Sequence, residues 1–414
     1  MVIIKDFKAL RPKKELAHEV AALPYDVYST KEAAEEIKKH PRSFLQVDLP
    51  AATVDTYDGP INEVAVKNFE AMKTEGIFER DDGRNMYVYE LDDGKVRQRG
   101  LMCLASVDDY VEDRIKKHEK TRREKEEDRV DHIDRLNAQT GPIFLTYRNK
   151  PAIAELIAKG TAQAPELEFT TDDGITHRVW TLTDRSVVDG LMAAFKEQEA
   201  LYIADGHHRS ASAVRVAKKR QEQFGPGDDA TEYNYFMAIL YPADQLHVYD
   251  YNRVVADLNG LSEEEFLEKL EEKFAVEEKD EAVRPDKKGV FGMYLKDRWY
   301  RLEFKGEVPD DVIEALDVSI LQNNLLAPVL GIEDPRSDER IDFVGGVRGL
   351  KELERRVHED MAVAFSMYPT ALDELMAVAD GGKVMPPKST WFEPKPRSGL
   401  FIHELDEIKQ KDIG

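Results

Sequence analysis

The 414-residue chain has one cysteine, Cys103. A lone thiol excludes an internal disulfide framework and any zinc or iron–sulfur site built on several cysteines. Cys103 lies in the apolar run Leu101-Met102-Cys103-Leu104-Ala105, so it reads as a packed core residue rather than a nucleophile. Long apolar runs are also missing. No stretch reaches the ~20 residues that a membrane helix needs. The start, Met1 to Phe7, lacks the basic head and long apolar centre of a signal peptide. The expectation is a soluble cytoplasmic protein with no membrane partner. Positive charge is in deficit: 59 Lys and Arg stand against 82 Asp and Glu, a net charge of −23. Nucleic acid is therefore not the expected partner, because phosphate contacts need clustered Lys and Arg. A local basic pocket for an anionic ligand stays open.

What is present is enough for a core without staples, since 42% of residues are hydrophobic. β-type runs broken by acidic turns alternate with helical runs. Met86-Tyr87-Val88-Tyr89-Glu90-Leu91, then Asp92-Asp93-Gly94 and the run to Val107, predict a hairpin. The pattern recurs at Asp172-Asp173-Gly174 and at Lys296-Asp297-Arg298. Apolar spacing predicts a helix over Val187 to Gln198. Ser262, with Glu265 behind it, predicts a capped helix to Phe274. Leu350 to Val363 and Ala371 to Val378 are further helical runs. Hairpins with interspersed helices predict an α+β fold, a mixed sheet surrounded by helices. The polar stretch from Ala256 to Glu264 suggests a split into 1–255 and 256–414, with a single interwoven unit as the alternative. Glu112 to Arg135 is almost wholly charged. It reads either as a solvated helix held by i,i+4 pairs or as an arm carrying His118 and Glu119 over a polar site.

The most informative segment is Leu201-Tyr202-Ile203-Ala204 followed by Asp205-Gly206-His207-His208-Arg209. The first four residues form a strand, and Ser210 onward has helical spacing. The polar residues therefore fall on the turn from a strand end into a helix start, where free amides and partial positive charge favour an anion. Gly206 allows a close backbone approach. Arg209 can clasp a phosphate in two places. His207, His208 and Ser210 can donate to it. Asp205 can hold Mg²⁺ directly or through water. The rival readings are a pair of histidines that only fill a helix corner, and a His-His-Asp metal site. Asp26, in Pro24-Tyr25-Asp26-Val27, and the Pro-rich segment Met385-Pro386-Pro387-Lys388-Ser389-Thr390 have no role fixed by spacing alone.

Five ordered blocks together resemble the domain-of-unknown-function 1015 family. They are Pro24 to Val27, His118-Glu119-Lys120-Thr121, Gly141 to Tyr147, Asp205 to Arg209, and Met385 to Thr390 with Pro394-Lys395-Pro396 and Gly399-Leu400 behind it. The Asp-Gly-His-His-Arg element is similar to that of the ParB/sulfiredoxin-like superfamily and, most closely, of kinases for free L-serine. The match departs at Gly141, where many relatives have Ser, and at Arg42-Ser43, where an Asn-rich turn is expected. The resemblance implies a ParB/sulfiredoxin-like core with an added C-terminal α/β segment. It also implies phosphoryl transfer to a small hydroxy amino acid, with Mg²⁺ and ATP or ADP. On that reading Gly206, His207, His208, Arg209, Ser210 and Lys388 hold phosphate, and Asp205 organises the metal. Asp26 or Glu119 is the base, and His118 and Lys388 neutralise charge. A nucleotide-binding switch without turnover and a metal-dependent hydrolase are the alternatives. The oligomeric state is left open.

Overall fold

The computed structural model describes residues 1–121 and 123–405. Contacts divide the chain into two compact units. One comprises Met1–Leu246 with the segment from Pro394 onward, and the other His247–Glu393.

The first unit is built on a nine-stranded mixed sheet. Its strands are β1 (Ile4–Lys5), β2 (Met86–Asp92), β3 (Arg97–Ser106), β4 (Ile115–Lys116), β5 (Ile143–Tyr147), β6 (Leu167–Thr170), β7 (Thr176–Leu182), β8 (Leu201–Asp205) and β9 (Tyr235–Pro242). The order is β4-β8-β5-β9-β3-β2-β7-β6, with β1 on β3. β4 runs parallel to β8 and β5 parallel to β9; the other pairs are antiparallel. The expected hairpin β2–β3 forms. Its turn closes because the Asp92 and Asp93 carboxylates accept from the amides of Gly94 and Val96, and Gly94 supplies the positive φ of 81°. β2 is buried over Met86 to Leu91. Glu90 is buried at its centre and is held by Arg99 at 2.6 Å and Arg178 at 2.9 Å.

The helices of this unit are α1 (Thr30–Lys39), α2 (Ile61–Thr74), α3 (Arg123–Leu136), α4 (Pro151–Gly160), α5 (Arg185–Lys196) and α6 (His207–Phe224). Val187, Leu191 and Phe195 of α5 and Ala213, Val214 and Ala217 of α6 join Val88, Leu101, Cys103, Leu145, Ile203 and Phe236 in the main core. Burial of these apolar groups is the chief driving force for the layer arrangement. A smaller core places Phe44, Phe69 and Phe78 edge to face, with centroids 5.9–6.2 Å apart. The charged segment resolves into β4 and α3. α3 has the expected i,i+4 pairs, Arg123–Glu127 and Arg135–Asp131. It is neither solvated all round nor a separate arm, because Arg129, His132, Ile133 and Leu136 are buried.

The second unit holds a six-stranded antiparallel sheet of β10 (Tyr251–Val255), β11 (Phe274–Lys279), β12 (Val290–Leu295), β13 (Arg298–Phe304), β14 (Ile341–Gly345) and β15 (Val363–Ser366). Its order is β11-β13-β12-β15-β10-β14. Its helices include α7 (Glu263–Glu271), α8 (Leu350–Glu359) and α9 (Leu372–Asp380). α7 starts with the expected capping box of Ser262 and Glu265. α8 stops at Glu359, before Val363, which belongs to a strand whose four residues are all buried.

Replacing Leu145, fully buried on β5, with Ala leaves a cavity between the sheet and its helices. We expect Leu145→Ala to lose about 2–5 kcal/mol of stability, read as a lower urea midpoint at unchanged slope. An unshifted midpoint contradicts this placement of the core.

Candidate functional site

The strand–turn–helix expected from sequence is where the side chains converge. β8 pairs regularly with β5 through Tyr202↔Thr146 and Ile203↔Leu145. The register then slips, so that Asp205 faces Phe144. Such a bulge re-aims the end of a strand. Gly206 follows with φ 93° and ψ 31°, a left-handed conformation that an L side chain resists. α6 begins at His207. The turn therefore delivers Asp205, His207 and Arg209 into one small volume.

Asp205 is locked on both oxygens. Oδ1 accepts from the Gly206 amide at 2.8 Å, and Oδ2 accepts from Lys395 Nζ at 2.6 Å. Burial opposes its ionisation. Lys395 and Arg209 outweigh that penalty and hold the carboxyl well below the usual range. Lys395 comes from the C-terminal segment, which pairs with the first unit through Ala22↔Ser398 and His403↔Gln139.

His118 and His207 form a buried pair, edge to face, with centroids 4.4 Å apart. The His118 amide donates to His207 Nε2 at 3.5 Å, so that nitrogen serves as acceptor in the arrangement seen. Burial pulls His118 down to about 4 against the pull of Asp205. Burial, then the neighbouring His118, drive His207 well below its ordinary value. Both rings are neutral at neutral pH. The 3.7 Å approach of Glu119 to His207 Nδ1 is therefore not an ion pair. His118 Nδ1 is buried without a hydrogen-bond partner.

Arg209 is the least satisfied group in the cluster. Of its five N–H donors, one reaches an acceptor, the Pro142 carbonyl at 3.1 Å. Nε is buried with no partner. Asp26 lies 3.7 Å from Nη2, close enough for attraction but beyond hydrogen-bond distance. Beside Arg209 lies a cleft of about 460 Å³, counting the space open to solvent, which Tyr25, Asp48, Arg129, His132, Thr140 and Ser398 help to line. Asp48 is buried and accepts from Thr140 Oγ1 at 2.7 Å. Arg129 stacks 4.1 Å over the Tyr25 ring. A Cβ at Gly141 would stand 2.7 Å from Ser398 Oγ, so that hydroxyl would have to turn away, and Arg209 Nη1 lies 3.6 Å from the same point.

The sequence matches the model of a family described as "Protein of unknown function (DUF1015)" over residues 4–319. The chain belongs to that family. No curated protein matches it. Among solved structures, a mutant free serine kinase in complex with ADP is 14% identical, with a TM-score of 0.34, over 73% of this chain and 94% of that one. A free serine kinase in complex with AMP is 15% identical, with a TM-score of 0.33, over 73% and 93%. SbnI with a C-terminal truncation, from Staphylococcus aureus, is 12% identical, with a TM-score of 0.37, over 72% and 84%.

The expected site residues thus divide. Asp26, His118, Glu119, Asp205, Gly206, His207 and Arg209 come together. His208 is half-buried at the next position of the turn. Ser210 offers no donor to a phosphate as it stands, because its amide donates to Gly206 O and its hydroxyl to His207 O at 2.9 Å. Lys388 belongs to the second unit, where its Nζ stands 5.5 Å from the Tyr251 ring and its carbonyl accepts from Arg253. Both Asp205 oxygens accept a hydrogen bond, each with a lone pair to spare, and Lys395 sets a positive charge beside the carboxylate where a cation would approach it. Among the described residues no group of three or more His, Cys, Asp or Glu is placed to hold a metal ion. Sequence reasoning missed Asp48, Arg129, Thr140, Ser398 and Lys395. For Lys395 a signal existed, because it stands between Pro394 and Pro396 in a quoted block.

The buried histidines give the site a pH signature. An unfolded His takes up a proton near about 6.5 and His118 in the fold only near about 4, so the unfolded state binds more protons between these values. Stability is complete above about pH 6.5 and is lost as pH falls. We expect His118→Gln to remove about 3 kcal/mol of that acid loss between about pH 7 and 4, measured by urea unfolding across pH. Parallel curves for the two proteins contradict the buried neutral ring.

Proposed function

We propose that this protein is a phosphotransferase that takes ATP or ADP and acts on a small hydroxy amino acid, with free L-serine as the first candidate. The observation that carries the reading is Arg209. It is a mostly buried guanidinium at a helix start whose Nε has no acceptor, beside a cleft with charged and hydroxyl groups in its wall. Unmet buried donors are costly, and an oxyanion with several acceptor atoms satisfies them together. The start of α6 adds its partial positive charge. Lys395 cancels the charge of Asp205, so the turn stays hospitable to phosphate although the chain as a whole is acidic.

In this scheme the nucleotide phosphates lie on Arg209 and the first turn of α6. The amino acid enters the adjoining cleft, with its carboxylate toward Arg129 and its ammonium toward Asp48. The acceptor hydroxyl oxygen forms a new bond to the terminal phosphorus while the bond to the bridging oxygen breaks. The hydroxyl proton passes to the Asp26 carboxylate. Asp26 is preferred to Glu119 because it stands across Arg209 from the turn, next to Tyr25 of the cleft wall. Neutral His118 and His207 donate to developing charge without adding a fixed one. The reverse reaction, from phosphoserine and ADP, uses the same groups. A Mg²⁺ entering with the nucleotide would supply charge neutralisation at the phosphates.

Two variants test the assignment. Arg209→Ala is expected to weaken nucleotide binding at least about tenfold, measured by titration calorimetry. Asp26→Asn is expected to keep nucleotide affinity and to lower kcat by about 10²–10⁴. Undiminished binding and turnover in Arg209→Ala would sink the proposal.

A further inference from the structure

A second cleft in the first unit has no part in the scheme above. It encloses about 900 Å³, counting the space open to solvent. Its floor is Arg397, which is 3% exposed. Arg397 and the next residue, Ser398, line different clefts, as successive residues of extended chain do. The Arg397 guanidinium is only partly used. Nη2 pairs with Asp173 and donates to Thr171 Oγ1 at 3.3 Å, while Nε is buried without an acceptor. A buried donor left in this state is unfavourable, and it is poised for a ligand oxygen.

The wall has the opposite character. Glu19, Glu36, Asp172 and Asp173 line the cleft against the single guanidinium. Asp173 is occupied by Arg397, and Glu19 by Arg42 at 2.7 Å. Glu36 and Asp172 converge on one imidazole: His40 Nε2 is 3.6 Å from Glu36 and 3.1 Å from Asp172. Lys39 stands 3.6 Å from the other Glu36 oxygen, so the two carboxylates hold an imidazole and one exposed ammonium at long range, which a closer cation would displace. A buried guanidinium below and paired carboxylates above recognise a molecule with a carboxylate at one end and positive charge at the other. The surplus of acids over bases favours a ligand whose own charge is positive.

We propose that this cleft binds a free cationic α-amino acid, its carboxylate on the Arg397 guanidinium and its ammonium groups on the Glu36–Asp172 wall. The proposal does not depend on phosphoryl transfer. It requires only the cleft and the charges that line it.

Titration calorimetry on the full chain, without nucleotide, tests it with L-lysine, L-serine and L-glutamate as probes. L-lysine is expected to bind at least about tenfold more tightly than L-glutamate. Glu36→Gln combined with Asp172→Asn, both on the wall rather than in the core, is expected to erase that preference. Arg397→Gln is expected to abolish L-lysine binding, and Arg209→Ala to leave it intact. Loss of L-lysine binding in Arg209→Ala, with no effect of the Glu36 and Asp172 changes, would move the ligand to the other cleft and overturn the proposal. So would the absence of heat from L-lysine up to about 10 mM.

Discussion

The contact on which the site depends is the ion pair between Lys395 and Asp205. It joins the end of β8 to a segment 190 residues further along the chain. Without the ammonium, the partly buried Asp205 carboxylate would lie beside Arg209 and compete with any anion for it. With the ammonium in place, Asp205 is neutralised and still orients the turn by accepting from the Gly206 amide. Arg209 is left to face the cleft. Removing either member of such a pair costs more than the pair contributes, because the other charge is stranded away from water.

Beside that pair the protein withholds two further charges. Two imidazoles that could each carry a proton are packed against one another and held neutral by burial. Arg209, which has open donors, is flanked by Asp26 at a distance that attracts without engaging. On the proposed reading, an incoming phosphate would meet an ordered set of donors without having to break a tight internal salt bridge to use them. This preorganisation is what phosphoryl transfer asks of a protein, since positioning and charge stabilisation supply most of the acceleration.

Local patterns were legible in the sequence and remote convergence was not. The Asp-Asp-Gly turns were readable because one short segment holds both the carboxylate acceptors and the glycine with positive φ. The turn at Asp205 was readable because an apolar tetrapeptide, a glycine and a helical run follow one another. α3 was misjudged because its buried face is polar. Arg129 stacks on Tyr25, and His132 bonds to the Val47 carbonyl at 2.9 Å. With such partners, the apolar part of the buried face shrinks to Val130, Ile133 and Leu136, too few to stand out in a charged segment. Asp48, Thr140 and Ser398 were invisible for a related reason. Each is an ordinary residue until the sheet order, with its crossover from β5 to β9 and the returning C-terminal segment, brings them to one cleft. The cover of Glu90 on β2 is remote in the same way: Arg99 and Arg178 reach it from the two neighbouring strands.

The most direct test of the account is ³¹P NMR of the full-length protein with Mg²⁺, ATP or ADP, and a panel of hydroxy amino acids and their phosphates. The account predicts a new phosphomonoester resonance with L-serine and ATP, or its disappearance with phosphoserine and ADP. Tight nucleotide binding with no transfer to or from any member of the panel would contradict it.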